Sequence, residues 1–131
     1  MTLLFVWGPV VLHMALIFVA SSTSDPDPLP GLFFDKVAHL AIYAVLGALL
    51  ARALAGGRLG ALTWRHTAFA VLLSTVYGIS DEWHQSFVPG RTPDGMDVLA
   101  DMVGASLGAA MVLVLGRMLL TSRASARARP R

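Results

Sequence analysis

The chain contains no cysteine, so disulfides and thiol chemistry play no part in it and no redox compartment can be read from it. Charge is scarce as well. Asp, Glu, Lys and Arg make up 14% of the 131 residues, against about a quarter in soluble domains. HExxH, GxSxG, Walker A and dinucleotide-binding patterns are all missing, as are internal repeats. What remains is apolar: 56% of residues are hydrophobic and the mean hydropathy is +0.67. This composition belongs to an integral membrane protein and excludes an ordinary soluble enzyme.

The apolar residues fall into four runs, 3–20, 37–54, 64–80 and 98–120. A helix needs roughly 17–25 residues to cross a hydrocarbon core of about 30 Å, so each run reads as a spanning helix of an all-α, four-helix membrane bundle. The first run ends in Ala20-Ser21-Ser22, as a cleaved signal would, yet no Lys or Arg precedes it, and a retained helix is expected. Eight Lys or Arg residues accompany the 52–65 connection and the tail, whereas only Lys36 and Arg91 lie on the other side. Positive charge stays cytoplasmic, so both termini are expected inside, in the cytoplasmic membrane of the cell, with multiple passes. The proline-rich segment 25–31 then lies outside, and Gly56-Gly57 makes an inner turn. A single domain is expected over 1–120, followed by a disordered basic tail over 121–131. The tail arginines have no aromatic partners and suit anionic lipid, so no nucleic acid is expected.

The ionisable residues are concentrated. Asp35, Lys36, His39 and Tyr43 occupy the outer half of the second run, and Asp35, His39 and Tyr43 share one helical face at i, i+4, i+8 spacing. Asp81, Glu82, His84, Gln85 and Arg91 lie in the connection after the third run, and Asp94, Asp97 and Asp101 open the fourth. An ionised group facing lipid costs at least ~2.5–3.5 kcal/mol, so these faces are expected to meet in one outward-opening polar pocket. Structural readings stand beside this one. Asp35 and Asp97 suit helix N-termini, Asp94-Gly95 is an ordinary turn pair, and Arg91 can pair with a neighbouring carboxylate. His84 and Gln85 suit a solvated loop. His13 reads as a helix–helix hydrogen-bonding residue and His66 as interfacial. Gly104 and Gly108, extended by Ala100, read as a close-packing seam through which a second copy could also assemble.

Asp35-Lys36-Val37-Ala38-His39 with Tyr43, then Tyr77-Gly78 with the 81–91 segment DEWHQSFVPGR, then Asp97-Val98-Leu99-Ala100 with Gly104, together resemble the VanZ-like membrane proteins. The likeness runs from Asp35 to Gly108. It implies a small four-helix membrane module, in a family named for an accessory protein of glycopeptide-resistance gene clusters. Where the family pattern reads Asp-x-x-Ala-Asn-x-x-Gly, this chain has Asp101 in place of Asn, which adds a charge.

Three functional readings follow. In the first, His39, Glu82 and Asp101 carry proton transfer on an envelope lipid or lipid-linked cell-wall precursor. Asp35, Lys36, Tyr43, Asp81, His84, Gln85, Arg91 and Asp97 would then bind it, Arg91 forking onto a phosphate or carboxylate. In the second, the same pocket binds or transports such a ligand without altering it. In the third, the polar residues form a lock that orders the helix ends. No cofactor is expected; if a divalent metal is bound, His39, Glu82 and Asp101 are the expected ligands.

Overall fold

A computed structural model describes residues 2–24 and 32–127. The proline-rich segment expected outside lies beyond the described residues. Four helices carry the fold: α1 (Leu3–Ser21), α2 (Leu32–Leu54), α3 (Trp64–Gln85) and α4 (Gly95–Arg127), with a 3-10 turn at Leu59–Ala61. The expected all-α bundle is thus the observed one. In α1, in Asp35–Leu54 of α2 and in Gly95–Ser122 of α4, length and apolarity suffice for crossing a membrane. The 22-residue α3 has the length, but polar residues along it lower its hydropathy.

The helix bounds differ from the sequence expectation at three places. α2 begins before Asp35, so Asp35 and Lys36 lie on the helix. α3 continues to Gln85, which turns Asp81, Glu82, His84 and Gln85 from connection residues into its last turn. α4 runs on to Arg127, so the segment expected to begin a disordered tail at 121 is helical, and 128–131 lie outside the described residues. Ala, Arg, Met and Leu favour helix, and apolarity is not needed for propagation once a helix has begun.

Two turns use backbone that suits glycine. Gly56 and Gly57 have φ of 65° and 78°, and their amides donate to Ala53 O and Arg52 O, both at 2.9 Å, closing the C-terminus of α2. Beyond α3, Val88-Pro89-Gly90-Arg91 forms a turn with Gly90 at φ 84° and Arg91 N bonded to Val88 O at 3.1 Å. His66 accepts a hydrogen bond from Thr63 N at 3.2 Å, so it caps the start of α3 and is more than interfacial.

Side-chain contacts set the topology. Ser21 meets Asp81, so α1 and α3 end together; Lys36 meets Asp97, so α2 and α4 begin together. Glu82 bonds to the amide of Asp94, so both pairs share one end of an up-down-up-down bundle. α2 and α4 pack backbone to backbone: a Cβ on Gly104 would run into Leu40, and one on Gly108 into Ala44. These glycines form the close seam expected of them, but α2 fills it. Within the chain, the small-residue groove at Gly104 and Gly108 is occupied by α2.

Apolar side chains cover the outside of the bundle: Leu4, Phe69, Leu107 and Val114 are all more than half exposed. Among the largest fully buried side chains, Asp101 and Ser74 accompany Tyr43, Leu46 and Val10. Buried ionisable and hydroxyl side chains inside an apolar exterior suit lipid as solvent.

Candidate functional site

Lys36 organises the mouth of the bundle. Its Nζ donates to Asp97 Oδ1 at 2.5 Å and to Asp94 Oδ2 at 2.6 Å, and it stands 3.8 Å from Asp35. Asp94 is more than a turn residue. Its Oδ1 accepts the amide of Met96 at 2.9 Å, capping α4, while its own amide donates to Glu82 Oε2 at 2.8 Å. The hydrogen bond from Lys36, helped by that from the Met96 amide, holds the Asp94 carboxyl below the usual carboxylate range.

One turn deeper, His39 Nδ1 lies 3.0 Å from Asp101 Oδ1. Asp101 is wholly buried and its Oδ2 has no hydrogen-bond partner. Opposite stands Gly78 of α3, where a Cβ would come within 2.5 Å of Oδ2, so the absence of a side chain there makes room for the carboxylate. Tyr43 follows His39 on the same face, its ring centroid 6.4 Å away; its Oη is likewise buried and unpartnered. With Asp101 ionised, Nδ1 is the donating nitrogen of His39, which leaves Nε2 with its lone pair. Among the described residues, Nε2 has no hydrogen-bond partner. A carboxylate-oriented imidazole of this kind can accept or deliver a proton, or hold an electrophile.

A model of the family described as VanZ/LLP1 matches residues 5–116. The chain belongs to the VanZ/LLP1 family. No significant match is found among curated proteins or among solved structures. The match covers α1 except its first two residues, all of α2 and α3 and most of α4, including every residue of the polar end described above.

The remaining expected site residues of this VanZ/LLP1 chain form a second group, against α1. Asp81 accepts Ser21 Oγ at 2.6 Å and Gln85 Nε2 at 3.1 Å, and His84 Nε2 lies 3.0 Å from Ser22 Oγ. Gln85 also reaches Glu82 at 3.4 Å and so joins the two groups. Among the described residues, Arg91 pairs with no carboxylate. Its Nε and Nη2 donate to Thr23 O and Ala20 O at 3.2 and 3.3 Å, satisfying carbonyls at the end of α1. His13 Nε2 lies 3.0 Å from Ile42 O, the inter-helix role expected of it.

The single polar pocket expected around His39, Tyr43, Glu82 and Asp101 is replaced by something different. There, Lys36 pairs with Asp94 and Asp97, His39 with Asp101, and Glu82 with the amide of Asp94. A cavity of about 460 Å³ instead opens between α1 and α3, lined by Phe18, Tyr77, Ser80, Asp81, Trp83, His84 and Phe87. The donor atoms close enough to share a metal are also different. They belong to Asp35, His39 and Asp97, all within 4.8 Å of one another, so Glu82 and Asp101 stand outside this set. Lys36 already places its ammonium on Asp97, and a divalent ion would have to displace it.

Ser21, Ser22, Gly78 and Asp94 were not expected as site residues. Asp94 could have been found, since an Asp immediately before a helix is a common N-cap. Gly78 belongs to the Tyr77-Gly78 pair of the family resemblance, though its role there was not legible, and nothing in the sequence marks Ser21 or Ser22, whose partners lie far along the chain.

Proposed function

We propose that this VanZ/LLP1 protein is a multi-pass protein of the cytoplasmic membrane, with both termini inside, whose polar end faces outward. There it receives an envelope lipid headgroup or a lipid-linked cell-wall precursor, with a link to glycopeptide tolerance. The observation that carries this reading is the His39–Asp101 pair, with Asp101 wholly buried and Oδ2 unpartnered. A bundle that needed only stability could dispense with this desolvated carboxylate. His39 is the proton-transfer or ligand-contacting group, Asp101 orients it, Gly78 makes space for Asp101, and Glu82 holds the start of α4. Turnover at His39 makes the protein an enzyme; binding without turnover makes it a receptor or transport module.

One set of contacts favours the lock reading. Lys36 gathers three carboxylates and Glu82 caps α4, as a device that orders helix ends would do. The two readings separate in a deletion strain carrying His39→Ala or Glu82→Gln, compared with wild type by lipid and muropeptide analysis. Lost phenotype in a folded, inserted His39→Ala protein supports the functional reading. Retained activity per folded molecule, with thermal stability falling first, leaves only the lock.

A further inference from the structure

Asp81 is about 95% buried, yet no cation reaches it: the ion pairs among the described residues are those of Lys36 and His39. Its two hydrogen bonds come from the neutral groups of Ser21 and Gln85. A carboxylate has about four lone-pair sites, so it retains capacity for a further donor. A buried anion ordinarily has a cationic partner.

Asp81 also lines the 460 Å³ cavity between α1 and α3, and four aromatic rings share that lining: Phe18, Tyr77, Trp83 and Phe87. Trp83 and Phe87 meet edge to face at 5.4 Å, and Phe18 stacks on His84 at 4.5 Å, which fixes the walls. Trp83 and Phe87 are each 69% exposed, on a bundle surface that also exposes Val19 and Ile79. Aromatic rings and a carboxylate sharing one lining suit a cation, since the rings add attraction without adding a charge of their own. Trp83 stands in the last turn of α3 and Phe87 just beyond it, at a helix end where Trp rings mark the level of lipid headgroups.

We propose that this cleft binds the ammonium headgroup of a phospholipid such as phosphatidylethanolamine, with the aromatic rings around the cation and Asp81 as its counter-charge. Charge complementarity selects the ammonium, and the lateral opening on an apolar surface selects a lipid over a soluble amine. The site gives a ligand chemistry to a region the proposed function does not use, and needs neither His39 nor Asp101.

The test uses the full-length protein in a non-ionic detergent, titrated with short-chain phosphatidylethanolamine and observed by native mass spectrometry. Phosphatidylglycerol with the same acyl chains and N-acetylated phosphatidylethanolamine serve as comparisons that keep the phosphate and lack the ammonium. Phosphatidylethanolamine is expected to bind at least about tenfold more tightly than either. Trp83→Ala, at an exposed position, and Asp81→Asn are expected to erase that preference, whereas His39→Ala keeps it. Because Asp81→Asn alters a buried group, Trp83→Ala decides the question if the Asn variant unfolds. Equal affinity for the three lipids, or an undiminished preference in Trp83→Ala, overturns the proposal. Displacement of the lipid by an equal concentration of glycerophosphoethanolamine also overturns it, since the occupant would then be a soluble amine.

Discussion

Replacing Gly78 with alanine should disable the His39–Asp101 pair from across the bundle. The added Cβ would stand 2.5 Å from Asp101 Oδ2 and 3.3 Å from its Cγ. Ordinary contact begins at 3.4 Å, so Oδ2 must retreat by about 0.9 Å. The carboxylate is short and wholly buried, and a rotation that moves Oδ2 also moves Oδ1, now 3.0 Å from His39 Nδ1. That bond would lengthen beyond useful range. Losing a hydrogen bond to a charged group costs about 1.5–3 kcal/mol. Alanine in place of glycine within a helix returns about 1 kcal/mol, for a net destabilisation of about 0.5–2 kcal/mol. In thermal unfolding in mild detergent this is a drop of several degrees, at ~3–5 °C per kcal/mol. Histidine-selective ¹⁵N NMR should show the ring nitrogens of His39 losing their distinct donor and acceptor states, and the phenotype should be lost. Gly95→Ala, where a Cβ meets nothing within 4 Å, is the control and should be close to neutral. If Gly78→Ala melts at or above wild type with unchanged His39 signals, Gly78 is not the space-maker for Asp101 and the reasoning fails.

Three further outcomes are expected. A reporter fused after Arg131 should read cytoplasmic and one inserted within 25–31 should read external; a reversed pattern would turn the polar end inward and end the envelope-lipid proposal. Because Asp94 has its carboxyl pKa depressed in the folded state, its stabilising contribution is present above the ordinary Asp value, near 3.9, and is lost as pH falls through the lower folded value. Wild type should therefore lose thermal stability below about pH 4, and Asp94→Asn should show a smaller acid loss over that window; identical acid limbs would mean that Lys36 does not clasp Asp94 in solution. Gly108→Val should force α2 and α4 apart at Ala44 and cost at least the ~1–3 kcal/mol of an overpacked core, read as a lower melting temperature. An unchanged melt with altered oligomeric state would instead return the glycine seam to an interface between copies.

The sequence by itself determined the helices, their polar faces and the turns that join them. Helical hydrogen bonds run from residue i to i−4, so apolar length marks the helices, and the spacing of Asp35, His39 and Tyr43 puts them on one face before any tertiary contact forms. Gly56-Gly57 closes a turn because its backbone chemistry is local. The same local rules blurred the helix ends: hydropathy stopped the third run at Ser80, while the backbone carried α3 through Asp81 and Glu82 to Gln85. Tertiary structure alone decided the partners. His39 and Asp101 are 62 residues apart, and Lys36 chooses Asp94 and Asp97 among many carboxylates only because α2 and α4 begin at the same depth. The rotation of α3 sends Glu82 toward α4 and Asp81 toward α1, splitting an expected single pocket into a paired cluster and an aromatic cleft. Adjacent residues on a helix point about 100° apart, so which neighbour each one meets depends on how the whole helix is turned. For α3 that facing places Gly78 against Asp101, and packing along every helix at once decides it.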